Sequence, residues 1–225
     1  MILSITGFIG SGKDTFANYL VSEYGYTRLS FASTLKDAVS SIFGWDRTML
    51  EGLTKEAREE REKIDTWWEH RLNMPGLTPR WVLQYFGTEV CKKAFHEDIW
   101  NASLERSISN IKNAHSKIII SDARYPNELN MIKRNGGKCI RIKRGIDPTW
   151  YNAAVKFNRM TPEDRELLSR VPELLIDANP ISLGIHTSEW AWVDYPFDKT
   201  LDNSDTLESL YPKINDLLFN IQVTK

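Results

Sequence analysis

The chain has 225 residues, 41% of them hydrophobic and 26% charged, which excludes a disordered chain, a collagen-like fibre and a disulfide-stapled miniprotein. Lys and Arg number 29 against 30 Asp and Glu, and this net charge of -1 excludes the broad basic field of a protein that binds a nucleic-acid polymer or a membrane surface. No signal-peptide pattern opens the sequence and no run of 18 apolar residues occurs in it, so we expect a cytoplasmic protein.

The cysteines and histidines do not have the spacing of a metal site, so we expect two reduced, apolar thiols and no structural zinc. These residues are Cys91, Cys139, His70, His96, His115 and His186.

Strands and helices are predicted to alternate at both ends of the chain. In order, the pattern predicts a strand over 1–6, a helix over 15–24, a strand over 26–31, helices over 33–43, 79–93 and 97–113, a strand over 117–121, a helix over 126–134, strands over 138–142 and 199–202, and a helix over 206–221. The charged residues 54–63 predict a solvated helix with ion pairs four residues apart. The alternation is typical of an α/β fold with a parallel sheet.

We therefore expect one domain with two insertions. The core comprises about 1–44, 114–145 and 194–225, a helical arm spans about 45–113, and a second insertion spans about 146–193.

A glycine-rich segment, GFIGSGKDT at 7–15, lies between the first predicted strand and helix. Glycines let backbone N–H groups converge on an anion, the helix N-terminus adds positive potential, and a lysine reaches the outer phosphates. The predicted phosphate-binding residues are Gly10, Ser11, Gly12, Lys13, Asp14 and Thr15. Asp14 stands where a hydroxyl usually follows the lysine, so Thr15 is the candidate Mg²⁺ ligand, with Asp14 a second candidate directly or through water.

An aspartate follows the apolar strand Lys117–Ser121. The carboxyl end of a core strand lies near the ligand in such sheets, so Asp122 is a candidate catalytic residue; a helix cap or a turn residue is the alternative. Arg124 would hold a phosphate or clamp the substrate. No Asn-Lys-x-Asp motif is present, which argues against a GTPase.

Several separate blocks resemble the deoxynucleoside monophosphate kinases of tailed bacteriophages. They are GSGKDT (10–15), SFA with LKDA (30–38), LEGLT with AREERE (50–62), TPR to LQ to GTE (78–89) followed by Trp100, DARYPNE (122–128), Arg141, Arg144, HTSE (186–189) and LDN (201–203).

This resemblance implies a P-loop kinase with a five-stranded parallel sheet flanked by helices, a substrate-binding arm and a lid. It implies transfer of phosphate from ATP, with Mg²⁺, to a deoxynucleoside 5′-monophosphate. The catalytic residues would be Lys13, Asp122, Arg124 and Arg144, and the acceptor would be bound by Lys36, Arg58, Arg61, Arg80, Gln84 and Arg141. The partners would be small molecules, and a homodimer is the default oligomeric state.

Some residues keep two interpretations. Arg58 and Arg61 share a helix face and suit one phosphate, but they also suit a solvated surface. Trp67 and Trp81 either stack on a base or pack within the arm. Lys92 and Lys93 stand where the family often has an arginine, and a lysine lacks the bidentate fork.

The second insertion is longer than the resemblance predicts, and its Arg159, Arg165 and Arg170 either reach ATP or lie on solvated helix faces.

Three functions stay open on the sequence. The first is a deoxynucleoside monophosphate kinase, the second another P-loop kinase with a small phosphorylated acceptor such as a mevalonate phosphate, and the third a nucleotide-binding switch or assembly ATPase. The acceptor-side cations favour a kinase over a switch, which would not need them.

Overall fold

A computed structural model describes residues 1–111, 116–170, 180–181 and 183–223. The end of the predicted helix 97–113, His115 and parts of the predicted insertion 146–193 lie outside these ranges. The chain divides into two compact units: Met1–Leu29 with Ile111–Lys225, and Ser30–Asn110. The second unit includes residues 30–44, which the sequence-based division assigns to the core.

The structure contains the following elements in the part of the chain that it describes. The strands are β1 (Ile2–Thr6), β2 (Thr27–Leu29), β3 (Ile118–Ile120), β4 (Lys138–Lys143) and β5 (Lys199–Asp202). The helices are α1 (Lys13–Tyr24), α2 (Ser33–Phe43), α3 (Arg47–Glu51), α4 (Lys55–Glu60), α5 (Thr66–Leu72), α6 (Pro79–Tyr85), α7 (Ile99–Ile111), α8 (Pro126–Arg134), α9 (Tyr151–Arg159), α10 (Pro162–Arg170) and α11 (Leu207–Val223), with a π-helix over Phe86–Phe95 and a 3₁₀-helix over Thr187–Glu189. None of these helices has the length and apolar character needed to cross a bilayer.

The first unit is built on a parallel sheet with the strand order β2-β3-β1-β4-β5. All four neighbouring pairs are parallel, which confirms the predicted α/β fold. The chain leaves β1 toward β2 on one side and later reaches β4 on the other. The carboxyl end of β1 therefore lies at the switch point of the sheet, where α/β folds bind ligands.

Burial explains why the central strands have few polar residues. Every residue of β1 and of β3 is buried, as expected for parallel strands covered on both faces. Phe16 and Leu20 of α1 and Ile214 of α11 pack on this sheet in one apolar cluster. This core holds the loop after β1 on rigid elements.

The second unit is helical, and its short helices begin at side-chain caps. Asp46, Thr54, Asp65 and Thr78 each accept a hydrogen bond from the backbone three residues later, at the N-termini of α3, α4, α5 and α6. A separate apolar cluster around Val39 supports these helices. Such short helices owe their stability to caps and packing rather than to propensity.

The predicted helix over 79–93 is interrupted. The α-helical part ends at Tyr85 and a π-helix continues over Phe86–Phe95. Gly87 is buried in this segment, and its carbonyl accepts a hydrogen bond from Nε1 of Trp100 at 3.0 Å. Periodicity alone does not separate the two helix types over so short a segment.

Tryptophans in the second unit serve mainly to pack it. Trp45 stacks on Phe43 at 4.5 Å and donates to Asp65 at 2.7 Å, while Trp68 donates to the carbonyl of Phe43 at 3.0 Å. Trp67, by contrast, is 62% exposed. Trp45 and Trp68 therefore pack within this unit, while both interpretations of Trp67 stay predictions.

Candidate active site

The loop between β1 and α1 has the backbone of an anion-binding loop. Gly10 and Gly12 have φ angles of 78° and 99°, in the left-handed region that glycine enters without strain. The N–H of Phe16 donates to the Gly12 carbonyl at 2.9 Å, so the amides just before Phe16 have no acceptor within α1. These amides and the positive end of the helix form a site for phosphate.

The Lys13 ammonium bends back over this loop. Its Nζ donates to the carbonyl oxygens of Gly7 and Phe8, both at 2.8 Å. Burial and, after it, the positive charge of Arg124 lower the pKa of Lys13 to about 8, against the opposing charges of Asp14 and Glu189. An incoming polyanion would supply negative charge that stabilises the protonated ammonium.

Asp14 is engaged by a residue that sequence analysis does not identify. Its carboxylate forms an ion pair with Arg28 of β2, which also donates to Oδ1 of Asn18 at 3.1 Å and to Oγ of Ser121 at 2.7 Å. Arg28 stands alone in a short strand, outside any motif. The sequence feature that points to such a residue is the carboxylate at position 14, because a negative charge beside a phosphate site needs a positive neighbour.

The predicted metal ligands lie in the first turn of α1. Within the described residues, no three His, Cys, Asp or Glu side chains group into a metal site. Mg²⁺ bound with substrate phosphates needs only one or two protein oxygens, so the Thr15 hydroxyl fits it chemically. The ion pair with Arg28 makes the Asp14 carboxylate the poorer candidate.

Asp122 and Arg124 lie in the turn after β3. Oγ1 of Thr6, the last residue of β1, donates to the Ala123 carbonyl at 3.2 Å, which holds this turn beside the end of β1. Arg124 forms an ion pair with Glu189 of the 3₁₀-helix, and both charges act on the pKa of Lys13. The structure thus brings Lys13, Arg124 and Glu189 together. Glu189 ends the HTSE segment at 186–189, for which the sequence predicts no role.

Arg141 and Arg144 have different surroundings. Arg141 donates to the Tyr151 hydroxyl at 2.8 Å and to Asp147 at 2.5 Å, and its guanidinium lies 5.5 Å from the centre of the Trp192 ring. Arg144 is exposed just after β4. The side chain of Arg141 is only 13% exposed, and its part in acceptor binding stays a prediction.

An aromatic cluster connects the phosphate loop to the residues after Asp147. The Phe8 ring lies 5.4 Å from Trp150 and 4.6 Å from Trp192, measured between ring centres. Trp192 is buried at 2% exposure. Two of the eight tryptophans therefore support the loop that carries Lys13.

The second unit carries a cluster of three arginines, in which Arg58 and Arg61 meet at one loop and the charge of Arg80 acts on Arg61. Arg58 donates to the carbonyls of Gly52 and Leu53, both at 3.0 Å, and Arg61 donates to the carbonyl of Leu50 at 3.2 Å. The guanidinium of Arg61 lies so close to Gly52 that a Cβ there would be 2.6 Å from its Cζ. Arg58 and Arg61 thus meet at one loop, as their spacing predicts.

Electrostatics in this cluster favour an anion. Burial lowers the pKa of Arg61, and the positive charges of Arg80 and Arg58 add to this effect against the opposing charge of Glu62. Nε of Arg61 is buried and makes no hydrogen bond within the described part of the chain. A partly desolvated arginine that two other arginines repel gains from a bound phosphate, which accepts guanidinium hydrogen bonds in pairs.

The remaining predicted acceptor residues lie in the same unit. Lys36 forms an ion pair with Glu51 at 2.6 Å, and Glu51 is shared with Arg47, also at 2.6 Å. Gln84 is exposed on α6, where Trp81 stacks on Tyr85 at 4.9 Å. Lys36 is therefore held by a carboxylate, while Gln84 is accessible.

Comparison with known proteins finds similarity to nucleotide kinases of two viruses. Over 153 residues it is 33% identical to an Acanthamoeba polyphaga mimivirus protein assigned as a deoxynucleotide monophosphate kinase, a match that covers 64% of this chain and 74% of the relative. Over 57 residues it is 39% identical to the deoxynucleoside-5′-monophosphate kinase of Escherichia phage T5, covering 25% of this chain and 22% of that protein. No protein-family model matches the chain.

Two solved structures align with almost the whole chain, each at 13% identity. Dephospho-CoA kinase from Campylobacter jejuni has a TM-score of 0.44, with 98% of this chain and 96% of that chain covered. Shikimate kinase from Aquifex aeolicus vf5 has a TM-score of 0.42, with 100% and 98% covered.

Proposed function

The chain belongs to the deoxynucleoside monophosphate kinases, and we propose that it transfers the γ-phosphoryl group of ATP to the phosphate of a deoxynucleoside 5′-monophosphate, giving the diphosphate and ADP. The observation that supports this proposal is that each unit has its own group of residues suited to an anion. The loop around Lys13 suits a polyphosphate, and the cluster around Arg61 suits a single phosphate. A kinase with two anionic substrates needs both.

For phosphoryl transfer the protein has to position the two substrates and to neutralise their charge, rather than to take part in a covalent step. An oxygen of the acceptor phosphate attacks the γ-phosphorus of ATP in line, and the bond from that phosphorus to the β–γ bridging oxygen breaks. The loop amides and Lys13 would hold the donor phosphates. Arg124, whose charge already acts on Lys13, would stabilise the charge that spreads over the transferred group.

Mg²⁺ would be held by Thr15 together with the phosphates of ATP, and when bound it would neutralise negative charge on them. Asp122, which is half-buried after β3, would orient the donor side of the site. The side chain of Asp14 would stay with Arg28.

The acceptor would be bound in the second unit. Arg58, Arg61 and Arg80 would hold its phosphate, and the exposed Gln84 would face its base. We further propose that the protein acts on small molecules in the cytoplasm, that of the host if the chain is viral, as its relatives from a mimivirus and a phage suggest.

The decisive experiment offers the purified protein ATP with one acceptor at a time. Release of ADP is measured with dAMP, dGMP, dCMP, dTMP and, as an acceptor without a base, phosphomevalonate. We expect ADP release and diphosphate formation with at least one deoxynucleotide and none with phosphomevalonate. ADP release without any acceptor would instead indicate an ATPase or a switch.

Arg28 offers a test of how the loop tolerates Asp14. In Arg28→Ala the carboxylate loses its ion pair at the edge of the phosphate site, so we expect the KM for ATP to rise about tenfold. Adding Asp14→Asn to this variant removes the unpaired charge and should restore most of the affinity. Steady-state kinetics of the two single variants and the double variant measure the coupling.

The matched control is Arg134→Ala, which removes an exposed arginine from the end of α8 in the same unit. We expect wild-type kinetics from it. If Arg28→Ala lost affinity and Asp14→Asn failed to recover any of it, Arg28 would act by a route other than its pairing with Asp14.

The lowered pKa of Lys13 predicts a pH dependence of ATP binding. The group is protonated below its pKa of about 8 and becomes neutral above it. Affinity should therefore be nearly constant more than about one pH unit below 8 and fall, by up to about tenfold per pH unit, as the pH rises through and above that value. Equilibrium binding of ATP at several pH values measures this, and Lys13→Met, which cannot titrate, should bind weakly with no such slope. An equal slope in both proteins would assign the titration to another group.

A further inference from the structure

One buried amide, directly after the edge strand β5, contacts the phosphate loop. Asn203 directly follows β5, and its backbone N–H donates to the carbonyl of Lys143 at 2.7 Å, which extends the pairing of β4 with β5 by one residue. Its side chain is buried, with the residue only 7% exposed. Burial of an amide costs free energy unless it finds a partner, so the direction of this side chain is informative.

The partner is a carbonyl of the loop itself. Nδ2 of Asn203 donates to the carbonyl oxygen of Ser11 at 2.9 Å, across 192 residues of sequence. Contact with the next residue is equally close, because a Cβ on Gly12 would lie 2.4 Å from the same Nδ2. Asn203 and the Ser11–Gly12 peptide therefore fit together only while position 12 has no side chain.

This hydrogen bond sets the direction of an amide that faces the anion site. The peptide bond is planar and trans, so the Gly12 N–H points opposite to the Ser11 carbonyl. Fixing that carbonyl toward Asn203 turns the Gly12 N–H away from Asn203. Gly12 is the residue before α1, and its N–H is among those left without an acceptor inside the helix.

We propose that Asn203 is a positioning residue for ATP: it holds the Ser11–Gly12 peptide in the orientation that presents the Gly12 N–H to the phosphates. The inference rests on the proposed function, in which this loop binds the polyphosphate of ATP. Asn203 acts through the loop and does not itself contact the nucleotide.

Two variants separate this role from packing. Asn203→Ala removes the donor, and Asn203→Asp keeps the shape of the side chain while placing a carboxylate oxygen against the Ser11 carbonyl. The control is Asn135→Ala, which removes another amide of the same unit, one that donates to the Met131 carbonyl at 3.0 Å at the end of α8. Thermal unfolding of all three variants gives the temperature range in which each is folded.

The measured quantity is the Kd of ATP without acceptor, followed by the KM of the monophosphate. We expect the Kd to rise about tenfold in Asn203→Ala and further in Asn203→Asp, while the KM of the monophosphate changes less than about twofold. Asn135→Ala should lower thermal stability and leave the Kd unchanged. An unchanged Kd in the folded Asn203→Asp variant, or equal changes in the constants of both substrates, would overturn the proposal.

The same measurements distinguish this proposal from the function on which it rests. A wild-type protein that binds ATP but phosphorylates no deoxynucleotide would refute the proposed acceptor, while the Kd values would still test Asn203. A wild-type protein that binds no ATP would overturn both.

Discussion

Replacement of Lys13 by alanine should lower kcat/KM for phosphoryl transfer by about a thousandfold, the loss typical of removing one charge-stabilising group from an active site. The side chain would supply a positive charge among the donor phosphates that no other loop residue provides. Lys13 is half-buried, and burial is the main cause that lowers its pKa to about 8, so its charge would act in a poorly solvated place where electrostatic interactions are strong.

A matched control distinguishes this effect from general loss of lysine charge. Lys199 is exposed at the start of β5 in the same unit, and Lys199→Ala should keep wild-type rates. The assay compares initial rates of ADP formation for the three proteins at equal concentration. If Lys13→Ala converted the monophosphate to the diphosphate at close to the wild-type rate, the assignment of the donor site to this loop would be wrong.

Much of the fold can be predicted because its signals are local. Ile118–Ile120 is a run of β-branched residues that suits a strand buried on both faces, and α8 and β5 begin and end where glycine, proline and periodicity place them. The phosphate loop is equally readable, since Gly10 and Gly12 carry the positive φ angles that its backbone requires.

What the sequence does not reveal is which distant residues meet. Arg28, Glu189 and Asn203 act on the loop through partners 14, 65 and 192 residues away, separations that only the strand order produces. The π-helix is missed as well, because the apolar periodicity over 79–93 does not separate α-helical from π-helical winding. Arg141 shows the converse: the family resemblance implies a ligand of the acceptor, while the structure places it within β4, beside Asp147, Tyr151 and Trp192.

Net charge is also a poor guide to local charge. A chain with a formal charge of -1 places Arg58 and Arg61 at the loop 50–53, where burial and the positive charges of Arg80 and Arg58 lower the pKa of Arg61. Such a cluster is costly for a folded protein unless an anion compensates it. Binding of an acceptor phosphate by these arginines would compensate this cost. A mutational test can distinguish an effect on the acceptor from an effect on ATP.

Replacement of Arg58 by alanine should raise the KM of the monophosphate by about 10- to 100-fold while the KM of ATP changes less than about twofold. Arg58 is exposed, so an anion can reach its guanidinium, whereas Arg61 lies deeper against Gly52. Arg58→Lys keeps the charge but loses the planar fork, and should fall between the alanine variant and the wild type. Arg71→Ala, which removes an exposed arginine from the end of α5 in the same unit, serves as the control and should leave both constants unchanged.

This experiment depends on comparing the KM of ATP with the KM of the monophosphate. Arg58 also donates to the carbonyls of Gly52 and Leu53, so its loss could loosen the loop that supports Arg61. A loosened loop would still act on the acceptor alone, because Arg58 and Arg61 belong to the second unit, whereas the phosphate loop belongs to the first. Equal increases in the KM of ATP and of the monophosphate would therefore remove the acceptor role from this cluster. A rise confined to the monophosphate would assign the two anion sites to two different substrates, which is the property that separates a nucleotide kinase from a protein that only binds and hydrolyses ATP.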